Sequence, residues 1–163
     1  MIVIADTTPL NYLVLIGRAE ILPQLYGRVL IPPAVWEELH RSRTPEVVRT
    51  WISQSPAWLE VHDIQGIPEP ELASLGAGER QAITLAQELQ ADRLILDDHA
   101  ARVVAAQRKL TVIGTLGVLV EGAERGLVDF SDAIARLQHT SFYISPEVLN
   151  PLLQRYSKKP EGG

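Results

Sequence analysis

The chain has 163 residues, of which 46% are hydrophobic and 21% are charged. This length and balance fit one globular domain with a buried core and exclude a wholly disordered chain. The absence of cysteine excludes a disulfide framework, a thiolate zinc site and a cysteine nucleophile, and the formal net charge of -5 argues against nucleic-acid binding through a basic surface.

The first third of the chain predicts two strand–helix pairs. Residues 2–5 are an apolar run typical of a buried strand, and the apolar helix that follows ends near Gly17. Residues 29–31 predict a second strand. The two prolines after it suit the start of a helix over residues 34–40.

The middle of the chain is more varied. Residues 45–53 predict a helix, residues 58–62 a short edge strand, and residues 65–78 a loop rich in glycine and proline, with room for one helical turn. Residues 79–90 give the clearest helix, because their apolar side chains recur at helical spacing.

Strand and helix signals continue to alternate up to the C-terminal tail. They predict strands over 94–96 and 110–113, helices over 100–108, 115–124, 131–138 and 146–156, and a disordered polar tail over 157–163. Short apolar strands separated by helices favour a parallel sheet with helices on both faces. We therefore expect a single α/β domain over residues 1–156.

Targeting signals are not evident. The apolar opening run is short, lacks a basic flank and is interrupted by Asp6. No uninterrupted apolar run approaches the roughly 20 residues of a membrane span. We expect a cytoplasmic protein with no membrane partner.

Carboxylates follow two of the predicted strands at the point where each strand ends. Asp6 comes directly after the first strand, and Asp97 and Asp98 come after the strand over 94–96. Ligands of open parallel sheets bind outside the carboxyl ends of the strands. We therefore expect these acids to share one edge of the sheet.

Two further acids have helical positions that could bring them to the same edge. Glu38 lies on the helix after the second strand, and Glu79 lies at the start of its helix. Converging carboxylates need a cation between them, and the lack of cysteine favours Mg²⁺ or Mn²⁺ and phosphodiester hydrolysis by a metal-activated water. Spacing leaves a plainer alternative open, in which these acids are helix caps and solvated helix residues.

Five segments of the chain form a pattern that is more specific as a set than singly. They are IADTTPL at 4–10, VWEEL at 35–39, GAGERQAI at 76–83, LILDDHAAR at 94–102 and IGTLG at 113–117. Together they resemble the PIN domain family, and within it a prokaryotic, toxin-like (VapC-like, DUF3368-type) subgroup. The resemblance implies a three-layer α/β/α sandwich with a central, mainly parallel sheet and a ribonuclease site that uses Mg²⁺ or Mn²⁺.

The matched positions imply a set of acidic metal ligands and one hydroxyl that orients the first acid or a metal-bound water. The acids are Asp6, Glu38, Glu79 and Asp98, with Asp97 as the alternative for the last of them, and the hydroxyl belongs to Thr7.

Four other side chains are candidates for contact with phosphate or RNA. They are Thr115, Arg102, Arg41 and Arg43. Each has a plainer alternative: Thr115 as a helix cap, Arg102 in a salt bridge with the acid four residues before it, and the other two arginines on a solvated face.

The resemblance implies a metal-dependent endoribonuclease that acts on single-stranded RNA, with structured RNA also open as a substrate. It further implies the toxin of a type II toxin–antitoxin pair, an antitoxin partner and a homodimer, in whose interface Trp36 is a candidate. The alternative is a PIN-fold scaffold or nucleic-acid-binding protein with weak catalysis. Other phosphotransfer folds fit less well, because Thr8 stands where a dehalogenase-like phosphatase needs a second aspartate.

Overall fold

The computed structural model describes residues 1–156 and is built around a five-stranded sheet. All strand pairs are parallel, and the strand order is β3-β2-β1-β4-β5. The strands are β1 (Val3–Ala5), β2 (Val29–Ile31), β3 (Leu59–Val61), β4 (Arg93–Ile95) and β5 (Val112–Ile113). The tail predicted over 157–163 lies outside the described residues.

Helices connect the strands and cover the sheet. They are α1 (Thr7–Leu15), α2 (Ile21–Tyr26), α3 (Pro33–Leu39), α4 (Glu46–Ser53), α5 (Ala77–Leu89), α6 (His99–Gln107), α7 (Thr115–Glu124), α8 (Phe130–Gln138) and α9 (Pro146–Tyr156). A single 3₁₀ turn, Pro70–Leu72, precedes α5. Within residues 1–156, no helix combines the length and apolar character that a membrane crossing requires.

The sheet has a hydrophobic cluster on each face. Val3 and Ala5 belong to the cluster that holds α1, α2, α4 and α7, whereas Ile4 belongs to the cluster that holds α5 and α6. Successive side chains of a strand point to opposite faces, so a strand covered on both sides is apolar throughout. The expected α/β/α sandwich with a parallel sheet is therefore confirmed.

The structure differs from the predicted elements mainly at short segments. Helix α2 was not predicted; its Pro23 lies in the first turn, where a missing N–H breaks no helical hydrogen bond, and Gly27 ends the helix with φ +81°. Strand β5 is shorter than the predicted 110–113, because the N–H of Leu110 still closes the end of α6 on the carbonyl of Ala105.

Candidate functional site

The sheet reverses its winding direction between β1 and β4. From β1 the chain moves outward through β2 to β3, and from β4 it moves the other way to β5. Ala5 pairs with Ile95, and the N–H of Asp6 donates to the carbonyl of Ile95 at 2.9 Å, so the two strands end side by side. The crevice at such a reversal is the usual ligand site of open α/β sheets.

Asp6 is the buried centre of this crevice. It is 3% exposed, and its Oδ1 finds no hydrogen-bond partner among residues 1–156. The pKa of this carboxyl is raised to about 7, chiefly by burial and also by the charges of Glu79, Glu38 and Asp97, against the lowering effect of the Thr7 backbone N–H. The acids predicted to converge therefore act on one another electrostatically.

Glu38 reaches the crevice from α3, which packs against α5. Its Oε1 accepts a hydrogen bond from the backbone N–H of Gly78 at 3.0 Å, and its Oε2 accepts one from the hydroxyl of Thr7 at 2.5 Å. Both carboxylate oxygens are thus held in place. The Thr7 hydroxyl, predicted to orient Asp6 or a metal-bound water, donates instead to Glu38.

Glu79 lies in the first turn of α5 and has a capping contact. Its Oε1 accepts the backbone N–H of Gly76 at 3.0 Å, which satisfies a free N–H at the start of the helix. Burial raises its pKa, Gly76 lowers it, and the charges of Asp98 and Glu38 raise it. The plain role of a first-turn acid therefore coexists with a place in the acidic cluster.

The two aspartates after β4 have different surroundings. Asp97 is partly buried, and its two oxygens accept the backbone N–H of Thr115 at 2.8 Å and the Thr115 hydroxyl at 2.6 Å. Burial raises the pKa of Asp97, while these bonds and the charge of Arg102 lower it. Asp98 is exposed and caps α6 by accepting the N–H of Ala101 at 3.0 Å.

Of the four side chains predicted to contact phosphate or RNA, one is buried and three are exposed. Thr115 is fully buried and its hydroxyl donates to Asp97, so in this structure it holds an acid rather than facing a phosphate. The predicted ion pair between Arg102 and Asp98 is not among the ion pairs of residues 1–156. Arg102, Arg41 and Arg43 are exposed.

The sequence patterns indicate no role for Gly78 and no pairing of Thr115 with Asp97. These contacts span 40 and 18 residues of chain, so local patterns do not reveal them. The available signals were the glycine before Glu79 and the Gly114–Thr115 pair after the last strand.

The donor set fits a hard divalent cation. Carboxylate oxygens are the ligands that Mg²⁺ prefers, and Asp6 Oδ1 is a buried oxygen without another partner. Within residues 1–156, no three His, Asp or Glu side chains are arranged as a ready metal cage. Mg²⁺ usually takes one or two protein carboxylates and keeps several waters, so such a cage is not required.

These features define a class of protein: an all-parallel α/β/α sandwich with a carboxylate cluster at the switch point of its sheet. The model of the family DUF3368, described as a PIN domain, matches residues 2–158. The chain belongs to the PIN domain family, whose members are generally nucleases. No curated protein matches the chain significantly.

Proposed function

We propose that this protein is a divalent-metal-dependent endoribonuclease that hydrolyses phosphodiester bonds in single-stranded RNA. One observation carries the proposal: Asp6 is buried with an unpartnered oxygen beside three other acids at the switch point of the sheet. An isolated buried carboxylate is unfavourable, and a bound cation removes the cost. The family assignment supports the nuclease class.

The residues divide into cation ligands and groups that position them. Asp6, Glu38, Glu79 and Asp97 or Asp98 would hold one or two Mg²⁺ or Mn²⁺ ions. Thr7 holds Glu38 and Thr115 holds Asp97, so these two acids keep their orientation before any cation arrives. When bound, the cation supplies activation of water and neutralisation of phosphate charge.

Arginines near the cluster are suited to the RNA backbone. Arg102 is exposed and near Asp97, and Arg41 and Arg43 are exposed just beyond the end of α3. Guanidinium groups bind phosphate oxygens in pairs and retain their charge at neutral pH. We assign these three side chains to the substrate phosphates that flank the scissile bond.

Mn²⁺ should raise the melting temperature of the native chain. A ligand that binds only the folded state adds about 2.7 kcal/mol at a hundredfold excess over its Kd. Differential scanning fluorimetry across a Mn²⁺ series measures this, with the Asp6→Asn chain as control. If Mn²⁺ raises the melting temperature of the native chain no more than that of the control, the alternative is favoured, namely a scaffold or RNA-binding protein with weak catalysis.

The pair Asp97→Asn and Asp98→Asn should separate the two candidates for the fourth acid. We place it at Asp97, whose charge acts on Asp6 and whose carboxylate is held by Thr115. We expect Asp97→Asn to lower cleavage at least about tenfold. Asp98→Asn should keep most activity, because asparagine caps helices as well as aspartate does. Cleavage rates of a labelled RNA decide, and the reverse ranking would move the assignment to Asp98.

We further propose that the protein is the toxin of a type II toxin–antitoxin pair, acts in the cytoplasm and forms a homodimer. The support is the toxin-like character of the matching segments and the half-buried ring of Trp36 on α3. Growth arrest on expression, relieved by the product of a neighbouring small gene, would agree with this role. Harmless expression of an enzyme that is active in vitro would contradict it.

A further inference from the structure

Gly78 leaves space that the carboxylate of Glu38 occupies. It is the second residue of α5 and is buried, and its N–H donates to Glu38 Oε1 at 3.0 Å. A Cβ atom built on Gly78 would lie 2.7 Å from Glu38 Oε2 and 2.9 Å from Oε1. These distances are shorter than any stable contact between such atoms, so an alanine at 78 and the present position of Glu38 exclude each other.

The backbone itself does not call for glycine at this position. Gly78 lies within a regular helix and does not have the positive φ of Gly17, Gly27 and Gly126. Glycine is among the least favourable residues in a helix, and alanine the most favourable. The local structure would therefore prefer alanine, and the contact with Glu38 is what glycine permits.

Gly114 also leaves space that a carboxylate of the site occupies, in this case the carboxylate of Asp97. A Cβ atom on Gly114 would lie 2.8 Å from Asp97 Oδ1 and 2.8 Å from Arg102 Nη1. Asp97 Oδ1 accepts a hydrogen bond from the backbone N–H of Thr115 at the start of α7. In both cases a carboxylate of the cluster accepts one backbone N–H from a helix start and one threonine hydroxyl.

We propose that Gly78 is a positioning residue, whose missing side chain sets the carboxylate of Glu38 between Thr7 and α5 and thereby sets the affinity of the site for divalent cations. The inference rests on the proposed function for its cation and on the geometry alone for the position of Glu38. The nearest atoms that an alanine would meet are the end of a flexible side chain, so Glu38 would move rather than the helix.

The test compares Gly78→Ala with a matched control. Gly66 also donates its N–H to a glutamate carboxylate, that of Glu88, at 2.9 Å. A Cβ atom on Gly66, however, would lie 3.6 Å from Glu88 Oε1, which is an ordinary van der Waals distance. We expect Gly78→Ala to raise the Kd for Mn²⁺ about tenfold by isothermal titration calorimetry, with the metal-free melting temperature equal or higher. Gly66→Ala should leave the Kd unchanged. An unchanged Kd in Gly78→Ala would overturn the proposal.

A double-mutant cycle separates positioning from a general disturbance of α5. In the Glu38→Gln background, Gly78→Ala should change the Kd for Mn²⁺ less than about twofold, because the group it displaces no longer carries charge. A second tenfold loss in that background would mean that Gly78 acts through the helix and not through Glu38. That result would also overturn the proposal.

Metal-free crystal structures of the native chain and Gly78→Ala keep the two proposals distinguishable. In Gly78→Ala we expect the Glu38 carboxylate oxygens to lie more than about 3.5 Å from the backbone nitrogen of residue 78, whereas the native chain should keep the hydrogen bond. A carboxylate still in hydrogen-bond contact would overturn the positioning role, whatever the metal data show. A native chain that binds no Mn²⁺ would instead count against the proposed function and against the effect on affinity, while a displaced Glu38 would still support the geometric part.

Discussion

The Asp6→Asn chain is expected to lose RNA cleavage by at least about a hundredfold, which is the upper range seen when groups supporting metal ligands are removed. Asparagine keeps the size of the side chain but removes the charge that attracts a cation. Asp6 is the most buried acid of the cluster, and the charges of three other acids raise its pKa. Its charge should therefore matter more than that of any single neighbour.

The measurement is the rate of cleavage of a labelled single-stranded RNA with Mn²⁺ or Mg²⁺ in excess. Asp63→Asn is the matched control, because Asp63 is exposed and plays no part in the cluster. Circular dichroism should show both variants folded. Undiminished cleavage by folded Asp6→Asn would refute the assignment of Asp6 as a cation ligand.

The second large effect concerns stability without metal. The pKa of Asp6 is about 7 in the folded protein against an ordinary value of 3.8. The folded state therefore holds this proton more tightly than the unfolded state, and stability is lost as pH rises through the window from about 4 to about 7. A rise in the pKa from 3.8 to about 7 corresponds to about 4 kcal/mol at neutral pH.

Urea unfolding of the metal-free protein between pH 4 and pH 8 measures this loss, with Asp6→Asn as reference. At pH 4 the two chains should have similar free energies of unfolding. Above pH 7 the variant should be the more stable by about 4 kcal/mol. If the free energies of unfolding of the two chains change in parallel with pH, Asp6 has an ordinary pKa in the folded protein. Mn²⁺ should restore the stability of the native chain selectively, because the cation compensates the buried charge.

The two expected results together would describe a site that destabilises its own fold. Burial of Asp6 beside other acids costs stability in the absence of a cation. The same burial makes the crevice attractive to a divalent ion. A variant that is more stable and less active is the trade-off expected of a functional site.

The arrangement of elements could be predicted because its signals are local. The run Val3–Ala5 is apolar on both faces, which indicates a strand covered on both sides, and the helical spacing within α5 is equally direct. Helix α2 was missed because its six residues are too few to show a period. The resemblance of the five segments to PIN domains added the layered architecture, which the family match confirms.

The candidate site was only partly accessible to such reasoning. Asp97 and Asp98 are adjacent and chemically identical in the sequence, yet in the structure one accepts hydrogen bonds from Thr115 and the other caps α6. Which of two neighbouring side chains turns inward depends on the strand and helix beside them. That information lies in β5 and α7, not in the aspartates.

By itself the sequence determined an alternating α/β chain with acids at its strand ends, because hydrophobic periodicity and strand-end position are properties of neighbouring residues. Only the tertiary structure decided which atoms meet. Thr7 is 31 residues from Glu38, and Glu38 is 40 residues from Gly78. Their contacts arise from the packing of α3 against both α1 and α5. The net charge of -5 argued against a nucleic-acid partner until that packing gathered several acids around Asp6.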